Sequence, residues 1–129
     1  RFDENKTLHD LNGSEYYALI FWSSECPHCV DQLPKIYEAI KAVPKEKVQT
    51  ITIGIEYEAD TWKKMTDEYK SFINVLALDE WRDELVQEYN ISATPSFFIL
   101  NKDKMIISKP RGTANFLEAV ESAQATEVR

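Results

Sequence analysis

The sequence predicts an α/β fold in which helices flank a mixed central β-sheet. Apolar or β-branched runs of strand length alternate with segments whose apolar residues recur at helical spacing, in the order βαβαβαββα. Strands that alternate with helices favour a parallel sheet, and a hairpin near the end of the chain adds an antiparallel edge. The 129 residues, 43% of them hydrophobic, suffice for one shared core. We therefore expect a single domain over residues 1–129, with residues 1–15 as a polar N-terminal lead-in.

The first three elements are predicted to form a βαβ unit. Residues 17–22 are a short apolar run typical of a strand buried on both faces. Residues 48–55 are rich in β-branched side chains and form its partner strand. Between the strands, the apolar residues at helical spacing are Val30, Leu33, Tyr37 and Ile40. Pro34 lies inside this helix, where it removes one backbone hydrogen bond and is expected to bend the axis.

A further helix and strand are predicted within residues 60–78. Asp60 is a candidate N-cap for the helix, and residues 75–78 form the short strand. The inward stripe of the helix is predicted to be Trp62, Met65 and Tyr69.

The remaining elements are a third helix, a hairpin and a last helix. Residues 96–100 and 105–108 flank the polar turn 101–104, a pattern typical of a hairpin. Asp79 is predicted to cap the third helix, and Thr113 to open the last one. The inward residues are predicted to be Trp81, Leu85 and Tyr89 in the third helix, and Phe116, Leu117 and Val120 in the last.

Charge and hydropathy exclude several classes of partner. Fifteen Lys and Arg against 22 Asp and Glu give a net charge of −7, which repels phosphate backbones and anionic lipid, so we expect no nucleic-acid partner. No apolar run approaches the roughly 20 residues of a membrane helix, so we expect no membrane insertion of this segment. The chain opens at Arg1 rather than Met, which we interpret as the loss of an upstream signal peptide, lipid anchor or further domain.

The only two cysteines lie in one motif, Cys26-Pro27-His28-Cys29. A disulfide between them closes almost no loop and adds little stability, which indicates a chemical use. The motif falls where the first strand gives way to its helix, so Cys26 is expected among the free N–H groups of the helix N-terminus, which stabilise a thiolate. Cys26 then attacks a partner's disulfide, and Cys29 resolves the mixed disulfide. Pro27, His28 and Glu25 are candidates for redox tuning, since the positive character of His28 favours the thiolate and the Glu25 carboxylate opposes it.

A metal site is the alternative for these residues. Cys26, His28 and Cys29 with His9 would make four zinc ligands, but structural zinc favours paired knuckles, and this chain has one knuckle and a distant histidine. Haem attachment requires His directly after the second Cys, where this chain has Val30. We therefore expect no metal and no cofactor beyond a redox-active Cys26–Cys29 disulfide.

Three segments together resemble the thioredoxin superfamily. They are residues 21–29, Phe-Trp-Ser-Ser-Glu-Cys-Pro-His-Cys, the helix proline Pro34, and residues 93–97, Ala-Thr-Pro-Ser-Phe. Residues 8–13 and the extra helix and strand of residues 60–78 are similar to the TlpA-like branch of bacterial extracytoplasmic thiol-disulfide oxidoreductases. The resemblance implies a thioredoxin-like fold in which the helix and strand of residues 60–78 are inserted.

The resemblance also implies a substrate groove beside the cysteine pair. Pro95 would follow a cis peptide bond and pack against the pair, and the backbone of Thr94 would pair with a substrate strand. Gly112 matches the family's glycine in a third loop beside the groove. Trp22 is expected in the core and also at the flank of the groove.

Three positions depart from the family pattern. Glu25 stands where the family usually has Trp, Ile20 replaces the buried Asp of thioredoxin, and Gln32 replaces a common TlpA-like Glu. Both familiar proton acceptors for Cys29 are therefore absent. Water, Glu25 or Asp31 remain as alternatives, and the sequence assigns no general base.

The function implied is thiol-disulfide exchange with protein thiols and disulfides by a monomer in the bacterial periplasm or cell envelope. An upstream redox partner would supply electrons, and a segment before Arg1 could anchor the domain. A peroxiredoxin-like peroxidase is the enzyme alternative, because Ser23 and Cys26 fit part of its motif, although Leu19 stands where that family has Pro. The non-enzyme alternative is a thioredoxin-like protein-binding module whose cysteines are redox-idle.

Overall fold

The computed structural model describes residues 11–78 and 84–125. Its elements, in chain order, are β1 (Tyr16–Trp22), α1 (Pro27–Ile40), β2 (Val48–Ile55), α2 (Asp60–Thr66), β3 (Ile73–Ala77), α3 (Glu84–Glu88), β4 (Ser96–Asn101), β5 (Ile106–Ser108) and α4 (Gly112–Ala125). This order confirms the predicted α/β fold with a mixed sheet. The predicted roles of His9, Asp79, Trp81 and the Leu85 side chain lie outside the described residues.

The five strands form one sheet in the order β3-β2-β1-β4-β5. β1 runs parallel to β2, with Trp22 opposite Gly54, and antiparallel to β4, with Phe21 opposite Ser96. β3 joins the edge parallel to β2, with Ile53 opposite Val75. β4 and β5 form the predicted hairpin. β1 therefore lies at the centre of the sheet.

Alternate residues of β1 supply two core layers. Ala18, Ile20 and Trp22 face the layer formed with α1, α2 and α4, whereas the intervening β1 residues face the layer that includes Val86 of α3. All but the first residue of β1 are buried, as a strand covered by helices on both faces requires. Because successive side chains of a strand point to opposite faces of the sheet, β1 contributes to both core layers, and the sheet lies between two layers of helices.

The inserted segment forms a helix and a strand, as expected, with shifted boundaries. β3 begins at Ile73 rather than 75, and Tyr69 lies beyond the end of α2, where its ring packs near Phe72. The predicted Asp60 cap is wrong, because the N-cap is Ala59 and it makes no side-chain cap hydrogen bond. Asp60 is instead the first helical residue, where a carboxylate still interacts favourably with the helix dipole.

Two further predictions are corrected, one about the burial of a side chain and one about the start of a helix. The helical spacing predicts that Val30 faces the core, but its side chain is 37% exposed. The next residue back, Cys29, lies on the buried face of α1, and one residue further along a helix the side chain points about 100° away. The buried face consists of Cys29, Leu33, Ile36 and Ile40. α4 begins at Gly112 rather than Thr113. The backbone φ of Gly112 is +84°, an angle that residues with a side chain adopt only under strain.

Phe116 secures α4 to the sheet. Its ring is fully buried and stacks on Phe97 of β4, with ring centroids 4.7 Å apart. Replacing it with Ala would leave a cavity between α4 and the strand that follows Pro95, so we expect Phe116→Ala to lower the free energy of unfolding by about 4 kcal/mol. Urea unfolding measures this loss. Glu118→Ala, at an exposed position of the same helix, is the matched control and should change stability by no more than about 0.5 kcal/mol.

Candidate active site

The order and direction of the strands bring three loops together at one end of the central strands. The parallel strands β1 and β2 both end there, and the antiparallel β4 begins there. The loops after Trp22, after Ile55 and before Ser96 therefore meet. The cysteine motif occupies the first loop, and the Thr94–Pro95 pair occupies the third.

Cys26 is the N-cap residue of α1. Its extended backbone (φ −94°, ψ 108°) turns the side chain back over the helix, so that Sγ accepts a hydrogen bond from the Cys29 N–H at 3.2 Å. Its own N–H donates to the Ser23 carbonyl oxygen at 3.1 Å, and its carbonyl accepts from the Val30 N–H at 3.0 Å. A sulfur thus takes the place of the oxygen that usually caps a helix. The sequence predicts the position of Cys26 at the helix N-terminus but not its role as the cap.

The pKa of the Cys26 thiol lies below its ordinary value. Partial burial is the largest single influence and raises it, but the lowering influences together outweigh burial. They are side-chain hydrogen bonds with Cys29 and Thr94 and backbone hydrogen bonds from Cys29 and His28. Hydrogen bonds to the anion favour its formation, so the partly exposed Cys26 sulfur is the more readily ionised of the two.

Cys29 has the opposite environment. It faces the core from the first turn of α1 and is 2% exposed. Burial, followed by its hydrogen bond with Cys26, raises its pKa to about 12. The structure has both cysteines as free thiols. One helical turn therefore carries an accessible acidic thiol and a buried thiol that stays protonated.

The Thr94–Pro95 loop closes one side of the site. The peptide bond between these residues is cis, as the resemblance implies, and both side chains are half-buried. The Cys26 Sγ lies 3.7 Å from the Thr94 carbonyl oxygen, to which the protonated thiol donates. The Ser96 Oγ donates to the Ala93 carbonyl oxygen at 2.6 Å and closes this loop on itself.

The other predicted site residues have different environments. Pro27 and His28 are exposed in the first turn of α1, and Glu25 is exposed just before it. Gly112 is exposed at the start of α4, where a Cβ would have no atom of the described residues within 4 Å. Trp22 has no exposed surface, so its expected place at the flank of the groove is wrong: the end of β1 is covered by α1 and α2, and the indole belongs to the core.

The other two departures from the family pattern, Ile20 and Gln32, have ordinary structural environments. Ile20 is buried in the sheet. The Gln32 Nε2 donates to the Asp31 carboxylate at 2.7 Å, and Lys35 lies 3.4 Å from the same oxygen. These contacts, with the Gln32 hydrogen bond first, lower the pKa of the exposed Asp31 carboxyl.

One acidic residue beside the site was not singled out from the sequence. Glu56 follows β2 directly and is 2% exposed. Its Oε2 accepts a hydrogen bond from the Ser24 N–H at 2.8 Å, and its Oε1 accepts from the Ser24 Oγ at 2.7 Å. The rule that parallel strands end at one edge could have found it, because Glu56 and Ser24 follow neighbouring strands.

Within residues 11–78 and 84–125, no group of three or more His, Cys, Asp or Glu side chains is arranged to hold a metal ion. Over the same ranges, no helix has the length and apolar character needed to cross a membrane.

Comparison with known proteins defines the class. The family model described as thioredoxin-like matches residues 13–106, and the chain belongs to this family. Sporulation thiol-disulfide oxidoreductase A of Bacillus subtilis is 29% identical over 101 residues, which are 77% of this chain and 61% of the relative. The chain thus spans less than two thirds of that relative's length.

Solved structures agree with the family. A domain of a possible thiol-disulfide isomerase from Cytophaga hutchinsonii is 30% identical, with a TM-score of 0.71, over 95% of this chain and 85% of that one. The thioredoxin domain of a thiol-disulfide oxidoreductase from Bacteroides vulgatus has the same fold, with a TM-score of 0.72 and 23% identity over 89% and 82% of the two chains.

The contrast between the two thiols predicts selective alkylation. With iodoacetamide at mildly acidic pH, Cys26 should be labelled first, because its lowered pKa leaves more reactive thiolate. Cys29 should stay unlabelled in the folded protein at any pH well below 12. Peptide mapping by mass spectrometry identifies the labelled residue. Faster labelling of Cys29 would reverse the assigned environments.

Proposed function

We propose that this domain is a thiol-disulfide oxidoreductase that exchanges electrons with protein thiols and disulfides through Cys26 and Cys29. The observation that carries the proposal is the asymmetry of the pair: the Cys26 Sγ caps α1 and has a lowered pKa, whereas Cys29 is buried with a pKa of about 12. A nucleophile and a protected resolving thiol one helical turn apart are what two-step exchange requires.

In the reducing direction, the Cys26 thiolate attacks one sulfur of a substrate disulfide. A Cys26–substrate bond forms, and the other substrate sulfur leaves as a thiolate that takes up a proton. Cys29 then loses its proton and attacks Cys26, which releases the second substrate thiol and forms the Cys26–Cys29 disulfide. Two electrons have moved to the substrate, and the reverse sequence oxidises a substrate dithiol.

Formation of the mixed disulfide itself prepares Cys29. After burial, the influences that raise the Cys29 pKa are its hydrogen bond with Cys26 and the Cys26 charge. Both are lost once the Cys26 sulfur is bonded to substrate. The Cys29 thiol then ionises more readily in the state that needs it, which reduces the demand on a general base.

We assign the substrate groove to Thr94, Pro95 and Gly112. The position of the Thr94 carbonyl, 3.7 Å from the Cys26 sulfur, supports pairing of this backbone with an extended substrate segment. Backbone pairing would let the domain accept protein substrates of varied sequence.

We also propose that residues 1–129 act as one monomeric domain in the bacterial periplasm or cell envelope. The TlpA-like resemblance supports this location. In an oxidising compartment the Cys26–Cys29 pair would not remain reduced unaided, so an upstream redox partner is part of the proposal.

Turnover tests the function directly. The wild-type domain should accelerate reduction of insulin disulfides by dithiothreitol, because Cys26 presents a ready thiolate. Cys26→Ser should abolish the acceleration. Cys29→Ser, reduced beforehand and mixed with insulin after the dithiothreitol is removed, should accumulate a covalent mixed disulfide, visible on a non-reducing gel, because resolution is lost. Lys35→Ala, on the exposed face of the same helix, is the control. No acceleration by the folded wild type would favour the redox-idle binding module.

The reduction potential of the Cys26–Cys29 couple is expected to lie between about −270 mV, as in thioredoxin, and about −120 mV, as in DsbA. The helix N-terminus and the positive character of His28 stabilise the reduced form through the Cys26 thiolate, and Glu25 opposes them. Equilibration with glutathione gives the value. His28→Ala should make the couple more reducing and Glu25→Gln more oxidising. If both substitutions moved the reduction potential in the same direction by the same amount, this electrostatic explanation would be contradicted.

A further inference from the structure

Glu56 is a buried carboxylate with no assigned role in the exchange reaction. It lies at the end of β2 and is 2% exposed, although charged side chains are seldom buried without specific partners. Its N–H donates to the Ala77 carbonyl oxygen at 3.1 Å, which fixes its backbone between β2 and β3. The sheet therefore holds this residue rigidly, immediately beneath the loop that carries the cysteines.

Both oxygens of the carboxylate hold the same residue of that loop. Oε2 accepts from the Ser24 N–H at 2.8 Å, and Oε1 accepts from the Ser24 Oγ at 2.7 Å. Two hydrogen bonds, one to each oxygen, define both the position and the orientation of Ser24. The contact joins residues 32 positions apart in the chain.

Trp62 of the inserted helix lies close to the Glu56 side of this contact. A Cβ at Gly54 would lie 2.5 Å from the Trp62 Nε1 and 3.3 Å from the Glu56 Oε2, so the indole occupies the space over the glycine and reaches the neighbourhood of the carboxylate. Trp62 is itself buried.

Ser23, the neighbour of Ser24 in the chain, connects the position of Ser24 to both cysteines. The Ser23 carbonyl accepts from the Cys26 N–H at 3.1 Å, and a backbone hydrogen bond from Ser23 is among the influences that lower the Cys29 pKa. The groups that shift the thiol pKa values are the two cysteines, Ser23, His28 and Thr94. Glu56 is not among these groups, whereas Ser23, the neighbour of the Ser24 that it holds, is.

We propose that Glu56 is a positioning residue for thiol-disulfide exchange: by holding Ser24 from below, it fixes the turn from Ser23 to Cys26 and keeps the Cys26 sulfur aligned with the N-terminus of α1. The exchange reaction in this statement rests on the proposed function. The placement of the Cys26 sulfur does not, since it can be measured without any substrate.

The test compares Glu56→Gln with Ser24→Ala. Gln keeps the shape of Glu56 but loses its charge and presents an N–H group to one of the two Ser24 donors, whereas Ser24→Ala removes only the Oγ hydrogen bond. We expect Glu56→Gln to slow iodoacetamide alkylation of Cys26 by about three- to tenfold at neutral pH, because the thiolate loses aligned N–H donors. Ser24→Ala should shift the rate in the same direction and by less. Glu58→Gln, exposed in the same loop, is the control and should match the wild type.

Selectivity between the thiols separates positioning from general destabilisation. If the loop alone shifts, Cys26 slows while Cys29 stays unlabelled, and the thiolate titration of Cys26, followed by absorbance at about 240 nm, moves to higher pH. Folded variants with lower unfolding free energy but wild-type alkylation rate and titration would overturn the proposal. If Glu56→Gln does not fold, Ser24→Ala decides by the same readouts. A wild type that reduces no disulfide would refute the proposed function and leave this test intact.

Discussion

The hydrogen bond from the Cys29 N–H to the Cys26 sulfur is the interaction on which the site depends. A helix must satisfy the N–H groups of its first turn, and here a thiol does so in place of the usual hydroxyl or carboxylate. The same bond holds the two cysteines close together. It joins the partly exposed Cys26 sulfur to the backbone of the buried Cys29, so the two thiols differ in accessibility. Helix capping and thiol activation are therefore one physical interaction.

The cap works only because the sheet presents it correctly. β1 lies between a parallel and an antiparallel neighbour, so the loop after Trp22 has the end of β2 on one side and the start of β4 on the other. The first neighbour provides Glu56, which holds the loop, and the second provides Thr94, whose carbonyl faces the Cys26 sulfur. Residues from three distant parts of the chain thus depend on a single strand order.

Local patterns in the sequence predicted most of the fold. Strand and helix periods are properties of short segments, which is why the order of strands and helices could be anticipated, and why the helix N-terminus could be placed at Cys26. Errors arose where the outcome depends on neighbours distant in sequence. Val30 has the spacing of a core residue, yet α1 contacts the sheet along a face that begins at Cys29. Trp22 adjoins the motif, but α1 and α2 cover it.

Glu56 shows the same limit within the site. In the sequence it is one of several acidic residues after a strand, with nothing in its local pattern to separate it from Glu58. Its significance comes from the pairing of β1 with β2, which brings the ends of the two strands together. Strand pairing predicts that proximity, but only the folded chain shows that Glu56 is buried and Glu58 is exposed.

The burial of Cys29 has a consequence for chemical damage. An oxidant such as hydrogen peroxide reaches Cys26 and converts its thiolate to a sulfenic acid, the first and still reversible oxidation product. Cys29, protected from the same oxidant by the core, stands one helical turn away and condenses with the sulfenic acid, so that a disulfide forms and water leaves. Further oxidation of Cys26 competes with this intramolecular step. The arrangement therefore directs accidental oxidation into the same Cys26–Cys29 disulfide that the proposed exchange reaction forms, and a reductant can reopen it.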